Sequence, residues 1–191
     1  MKQEIELRGV GGQGAILAAH TIGEASLRGD LHAVIGEIHG MSQRGGSVLC
    51  TVRIGDVYGP MIERIDTLIA MEGMEALRSY GKLDEGSAVI LNNRIIPTFM
   101  MSQGRERIFT IGEVVETLRK KTARIALLDA TGLAEKAGSV LTENVVMLGA
   151  VSKFSPLPFD EEMLRLAIEA SVPRRYIEEN LRAFELGKSA V

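Results

Sequence analysis

The sequence predicts an α/β fold in which an open sheet lies between two layers of helices. Three observations predict it: short apolar segments alternate with helical patterns, a glycine-dense loop joins the first of each, and 46% of the 191 residues are hydrophobic. Such a composition, with 25% charged residues, is enough to build the core of one soluble domain. We therefore assign residues 1–191 to a single domain, with residues 160–188 as a helical C-terminal extension.

Short apolar or alternating segments predict six strands. They cover residues 3–8, 33–38, 48–54, 66–71, 87–91 and 124–128. The connection between the second and third strands is short, which permits an antiparallel pair. We therefore expect a mixed sheet.

Helical spacing predicts the other elements. The first half of the chain has helices at residues 15–27, 74–80 and 111–121. In the C-terminal portion, apolar residues from Leu133 to Leu148 recur every three or four positions and predict one helix. Two further helices follow, the first capped by Asp160 and the second ended by Gly187.

Composition and charge exclude several classes of function. The formal net charge is −3, which disfavours a nucleic-acid or anionic-membrane partner. With Cys50 as its one cysteine, the chain cannot ligate an iron–sulfur cluster through cysteines or form an internal disulfide. The three histidines lack metal-ligand spacing, so we expect no metal site. We expect a cytoplasmic protein, because no apolar run is long enough to span a membrane and the first residues contain no apolar signal core.

The segment from Gly9 to Gly14 is the first candidate site. It fits G-x-G-x-x-G and lies between a predicted strand and a predicted helix, which is the context that a phosphate-binding loop requires. We predict that it binds a phosphate-bearing cofactor, and the predicted fold is Rossmann-like. The candidate binding residues are Gly11, Gly12, Gln13 and Gly14. A tight turn without a ligand explains the same pattern. Glu37 stands near the position of the acidic residue of an NAD or FAD site, so a free-standing dinucleotide-dependent oxidoreductase stays open.

A second polar loop, between the second and third strands, runs from His39 to Ser47. Its arginine can hold a carboxylate or a phosphate through two hydrogen bonds. We predict that this loop lies beside the first and extends the anion site; the alternative is a surface loop packed on a partner subunit. The candidate binding residues are Ser42, Gln43, Arg44, Gly45 and Gly46.

Together the two loops resemble the gamma-type domain of 2-oxoacid:ferredoxin oxidoreductases. The stretch at residues 11–14 is similar to the whole superfamily, and residues 40–48 are similar to the indolepyruvate oxidoreductase beta subunit in particular. Further similarity lies in residues 144–150 and 180–187. The resemblance therefore spans nearly the whole chain.

The resemblance implies an enzyme that decarboxylates a 2-oxoacid on thiamine diphosphate, transfers electrons through iron–sulfur clusters to ferredoxin and yields an acyl-CoA. Thiamine diphosphate and the clusters belong to a large partner subunit. The sequence agrees, because neither Gly29-Asp30 nor Gly55-Asp56 continues into the Gly-Asp-Gly of a thiamine fingerprint. This chain would complete the active-site rim, with CoA as a candidate ligand at the shared interface, and would be inactive alone.

Three alternatives stay open at this level. The first is the dinucleotide enzyme. The second is a scaffold that touches no ligand. The third is a gamma subunit for another substrate. The resemblance to the indolepyruvate type implies an aryl pyruvate, and pyruvate, a branched-chain oxoacid or 2-oxoglutarate would replace it. The catalytic residues are not identified by the sequence, and the isolated chain is a candidate homodimer.

Overall fold

A computed structural model describes residues 2–40, 45–97, 99–105, 107–155 and 157–191. Its six strands form one sheet in the order β2-β3-β1-β4-β5-β6. The strands are β1 (Lys2–Val10), β2 (Ala33–His39), β3 (Ser47–Gly55), β4 (Thr67–Ala70), β5 (Ala88–Asn92) and β6 (Ile125–Leu128). β3 pairs antiparallel with β1 and β2, whereas β1, β4, β5 and β6 run parallel. The predicted mixed sheet is confirmed.

Eight α-helices accompany the strands in the described ranges. They are α1 (Ala15–Arg28), α2 (Gly73–Leu77), α3 (Phe99–Ser102), α4 (Ile111–Arg119), α5 (Ala130–Ala137), α6 (Glu143–Phe154), α7 (Glu161–Ser171) and α8 (Ile177–Ser189). Each turn of 3₁₀ helix spans three residues, at Tyr80–Lys82, Val140–Thr142 and Arg174–Tyr176. None of the described helices is both long and apolar enough to cross a membrane.

Helices cover both faces of the sheet. Successive side chains of a strand point to opposite faces, so each buried strand contributes residues to two separate cores. Ile69 of β4 joins Ile5 and Leu7 of β1 in a core shared with α1 and α5 to α8. Leu68, its neighbour in β4, joins the smaller core that includes Val114 of α4. The three-layer α/β prediction is therefore confirmed. The division into one domain with an extension at residues 160–188 stays a prediction.

The C-terminal helical prediction needs three corrections. The segment from Leu133 to Leu148 is two helices, because Gly138 adopts φ +133° and ends α5. Leu141, one of the periodic apolar residues of this segment, is 83% exposed. Asp160 does precede α7, but its side chain accepts no capping hydrogen bond. Gly187 lies inside α8 and does not end it.

A glycine is required at position 187 because α8 crosses α6 there at close range. A Cβ atom added there would lie 1.9 Å from the carbonyl oxygen of Val146, and one added to Gly149 would lie 2.0 Å from that of Phe184. α6 and α8 therefore pack backbone against backbone. The glycine that looks like a helix stop is a packing residue.

Candidate functional site at the carboxyl edge of the sheet

The first glycine loop connects β1 to α1 and depends on glycine backbone geometry. Gly12 and Gly14 have φ values of +106° and +76°, where residues with a Cβ atom are strained. A Cβ atom on Gly14 would also lie 2.9 Å from Cγ of Asn144, at the start of α6. α6 therefore packs directly on this loop.

The described ends of the second loop lie beside the first. The backbone N–H of Gly11 donates to the carbonyl oxygen of Gly46 at 2.8 Å. Gly45 has φ +75°. The predicted binding residues Ser42, Gln43 and Arg44 lie outside the described residues. The two loops are therefore in contact. Ligand binding by these loops stays a prediction.

A cavity of about 610 Å³ opens at the glycine loop. Leu17 and Val48 contribute apolar wall, and the loop residues Gly11, Gly12 and Gly14 also line the cavity. The N–H groups of Gly12 and Gly14 donate to no acceptor in the described part of the chain. α1 has no acidic residue in its first turn, so no side chain of its own neutralises the positive end of the helix dipole. The cavity thus combines an apolar body with an anion-attracting end.

His20 and Glu37 form a pair beside this cavity. His20 Nε2 lies 2.5 Å from Glu37 Oε1, and the side chains are 56% and 30% exposed. Of the two, His20 lines the cavity. In a dinucleotide site the acidic residue follows the strand adjacent to β1. Here antiparallel β3 separates β2 from β1, so Glu37 lies a strand away from that position.

The side chain of Gln13 is held by the protein itself. Its Oε1 accepts from the N–H of Val10 at 2.8 Å, and its Nε2 donates to the carbonyl of Met71 and to Glu143, both at 3.0 Å. β1 and β4 are parallel neighbours, and the chain leaves them toward opposite faces, through α1 and α2. Open α/β sheets usually bind ligands in the crevice at such a switch point. Here the amide of Gln13 bridges the two strand ends, and the cofactor-binding role predicted for Gln13 stays a prediction.

Glu143, the first residue of α6, links the glycine loop, the segment after β5 and the start of α5 at this edge. Its carboxylate accepts hydrogen bonds from Gln13 Nε2 at 3.0 Å, Thr131 Oγ1 at 2.8 Å and an Nη1 group of Arg94 at 3.2 Å. It is only 4% exposed. Sequence reasoning missed both Glu143 and Arg94. The one available signal was a charged residue directly before the wholly buried run at 144–151.

A second buried carboxylate organises the connection after β4. Glu72 accepts hydrogen bonds from the backbone N–H groups of Glu75 at 2.8 Å and Ile96 at 2.9 Å. Burial raises its pKa despite these hydrogen bonds, and the nearby Glu75 carboxylate adds to the rise. Glu75 in turn accepts from Ser47 Oγ at 2.5 Å, which ties this connection to the start of β3.

The donor groups in the described ranges fit neither a cysteine-ligated iron–sulfur cluster nor a metal ion. Cys50 is its one cysteine and is buried in the core. Within the described ranges, no group of three histidine, cysteine, aspartate or glutamate side chains could bind a metal ion.

The sequence as a whole matches a known protein family. Residues 4–190 match the model of the family described as pyruvate ferredoxin/flavodoxin oxidoreductase. The chain belongs to this family. The resemblance drawn from the two glycine loops is therefore confirmed.

Two relatives from one organism, Methanothermobacter thermautotrophicus, differ clearly in their sequence identity to this chain. The indolepyruvate oxidoreductase subunit IorB is 40% identical, covering 100% of this chain and 98% of the relative. The 2-oxoglutarate synthase subunit KorC is 30% identical, covering 100% of this chain and 96% of the relative.

The fold is also that of a solved family member. In the 2-oxoglutarate:ferredoxin oxidoreductase from Magnetococcus marinus, solved with 2-oxoglutarate, coenzyme A and succinyl-CoA bound, one chain matches with a TM-score of 0.76. The match covers 99% of this chain but 31% of that longer one, at 21% identity. It shows the fold alone.

Proposed function

We propose that this chain is the clusterless subunit of an indolepyruvate-type 2-oxoacid:ferredoxin oxidoreductase. The observation that carries the proposal is 40% identity to an indolepyruvate oxidoreductase subunit over the full length of both chains. The lower identity to the 2-oxoglutarate synthase subunit of the same organism favours an aryl pyruvate over 2-oxoglutarate as substrate. The complex would release carbon dioxide from the 2-oxoacid, pass two electrons to ferredoxin and form an acyl-CoA.

A large partner subunit would supply the reactive cofactors. Thiamine diphosphate provides the carbanion chemistry of decarboxylation, and iron–sulfur clusters carry the electrons. A single buried cysteine cannot replace the thiolate ligands of a cluster. We therefore place both groups in the partner, place the complex in the cytoplasm, and expect this chain to be inactive alone.

This chain would bind and orient the acyl acceptor, CoA. The N–H groups of Gly12 and Gly14, which donate to no described acceptor, would donate hydrogen bonds to a phosphate at the start of α1. The apolar wall at Leu17 and Val48 would contact the uncharged part of the molecule and exclude water. The amide of Gln13 would keep the loop at a fixed distance from the end of β4.

The competing functions receive less support. An NAD or FAD enzyme would need an acidic residue beside β1, but β3 occupies that place. A scaffold without ligand contact leaves the free N–H groups and the cavity unexplained. Pyruvate and branched-chain oxoacids are alternative substrates, which the activity assay would distinguish from an aryl pyruvate.

The proposal is tested by purifying the tagged chain anaerobically from its native host and identifying its companions by mass spectrometry. We expect a large subunit that contains thiamine diphosphate and iron–sulfur clusters. A chain that arrives alone, as monomer or homodimer, and binds NAD or FAD saturably would overturn the proposal.

A further inference from the structure

Arg94 is an exposed cation that contacts the hydrogen-bond network of Gln13. It follows β5 at the carboxyl edge of the sheet, and its side chain is 44% exposed. Gln13 Nε2 and Arg94 Nη1 donate to the two oxygens of the same Glu143 carboxylate, at 3.0 Å and 3.2 Å. The guanidinium is therefore held within a few ångströms of the glycine loop.

Arg94 has N–H donors that contact no acceptor in the described part of the chain. A guanidinium carries five N–H donors, and only the Nη1 contact to Glu143 engages a described residue. Arg182, in contrast, uses both of its Nη groups, on the carbonyl of Ala137 and on Glu178. The remaining donors of Arg94 can form a two-pronged contact to a carboxylate or phosphate.

Glu143 fixes where that contact can form. Its side chain is buried and accepts three hydrogen bonds, so it forms a rigid anchor for Arg94. Anchoring one end of a long side chain lowers the entropy lost when a ligand is bound.

We propose that Arg94 is a binding residue of the active-site rim, which holds an oxyanion of a substrate beside the glycine loop, with Glu143 as its positioning residue. The inference rests on the proposed function for the identity of the ligand. The oxyanion comes from one of two sources, the carboxylate of the 2-oxoacid or a phosphate of CoA.

Two single variants and their combination separate ligand binding from charge neutralisation. Arg94→Gln removes the cation and leaves Glu143 buried without it, Glu143→Gln removes the anion, and the double variant removes both. Arg119→Gln, at the exposed end of α4, is the matched control. In the holoenzyme we expect Arg94→Gln to raise the KM for either CoA or the 2-oxoacid at least about tenfold, which is the effect of losing a charge-assisted contact. The control should change neither KM.

The double variant decides whether Arg94 binds a ligand or only neutralises the charge of Glu143. We expect it to regain the thermal stability that Arg94→Gln loses, because no buried charge is left unpaired. Its KM should stay raised if Arg94 contacts the ligand. A KM restored to the wild-type value, or no change of either KM in Arg94→Gln, overturns the inference. A rise for CoA identifies a phosphate, and a rise for the 2-oxoacid identifies the carboxylate.

A binding measurement on the full chain keeps this inference separate from the proposed function. Inorganic pyrophosphate and an aryl pyruvate are the probes, and the shift in unfolding temperature is the readout. We expect one probe to stabilise the wild-type chain and the Arg119→Gln control, but neither Arg94 variant. If the holoenzyme shows no oxoacid-dependent activity, the proposed function fails, while this shift still supports Arg94. A shift that persists in the double variant, or no shift in the wild-type chain, overturns the inference.

Discussion

The side-chain amide of Gln13 donates a hydrogen bond of 3.0 Å to the carboxylate of Glu143, across 130 positions of sequence. The same amide contacts the backbone of the last residue of β1 and of the residue after β4. One side chain therefore connects the glycine loop, the switch point of the sheet and the first residue of α6. The geometry of the candidate site depends on this connection.

Replacing Gln13 should destabilise the protein. Gln13→Ala leaves the N–H of Val10 and the carbonyl of Met71 without these partners, and we expect a loss of about 2 kcal/mol in the free energy of unfolding. Urea denaturation measures it. Gln103→Ala, at an exposed position, should change the value by less than about 0.5 kcal/mol. Equal effects of the two substitutions would contradict the assigned network.

The crossing of α6 and α8 should reject any side chain at Gly187. Although alanine favours helix, Gly187→Ala would place Cβ 1.9 Å from the carbonyl oxygen of Val146. We expect a loss of more than about 3 kcal/mol, since the two helices must separate. Gly112→Ala in α4, where the nearest atom lies at 3.9 Å, should instead be neutral or stabilise by about 0.5 kcal/mol. Thermal unfolding of both variants is the measurement, and a tolerated Gly187→Ala would refute the close crossing.

Acid should weaken the fold partly through Glu6. Burial opposes ionisation of Glu6, but hydrogen bonds from Ser79, Arg8 and Lys82 outweigh it and hold the pKa below the ordinary value of 4.5. A lowered pKa in the folded state means that this stabilisation is present above 4.5 and is lost as the pH falls through the folded-state pKa. In Glu6→Gln we expect a loss of about 3 kcal/mol at neutral pH, because a buried ion pair is broken, and a shallower decline in acid.

Urea denaturation at a series of pH values tests this prediction. Glu24→Gln, whose side chain is 46% exposed and pairs with Arg28, is the control and should follow the wild-type curve. If Glu6→Gln kept the wild-type slope in acid, Glu6 would not be the group responsible.

The thiol of Cys50 should be inert in the native protein. Burial, with a smaller contribution from the Glu37 carboxylate, raises its pKa to about 12. Only the thiolate reacts with alkylating agents and disulfides. We expect no reaction with a colorimetric disulfide reagent at mildly alkaline pH, and one thiol per chain after denaturation. Rapid labelling of the folded protein would place Cys50 outside the core.

The strands and the glycine loop could be predicted because their signals are local. Apolar alternation marks β1, and G-x-G-x-x-G between a strand and a helix marks the turn at residues 9–14. The family could be predicted from two short segments together. Gly138 and Gly187 show the limit of such reasoning. The sequence predicts a helix through Gly138, which ends α5, and a helix end at Gly187, which lies inside α8.

Glu143 and Arg94 could not be predicted, because their roles arise from long-range contacts. Arg94 and Glu143 are 49 positions apart, and neither belongs to a motif with defined spacing. Glu37 illustrates the opposite error: its sequence position fits a dinucleotide site, but the strand order β2-β3-β1 moves it away. Strand order is a tertiary property that spacing does not encode.

The most direct test of the central claim is ferredoxin reduction by this chain combined with its large partner subunit, under anaerobic conditions, with CoA and each of a panel of 2-oxoacids. The account predicts CoA-dependent reduction with aryl pyruvates as the preferred substrates, and none with either subunit alone. Full activity of the large subunit without this chain, or NAD-dependent turnover by this chain alone, would contradict it.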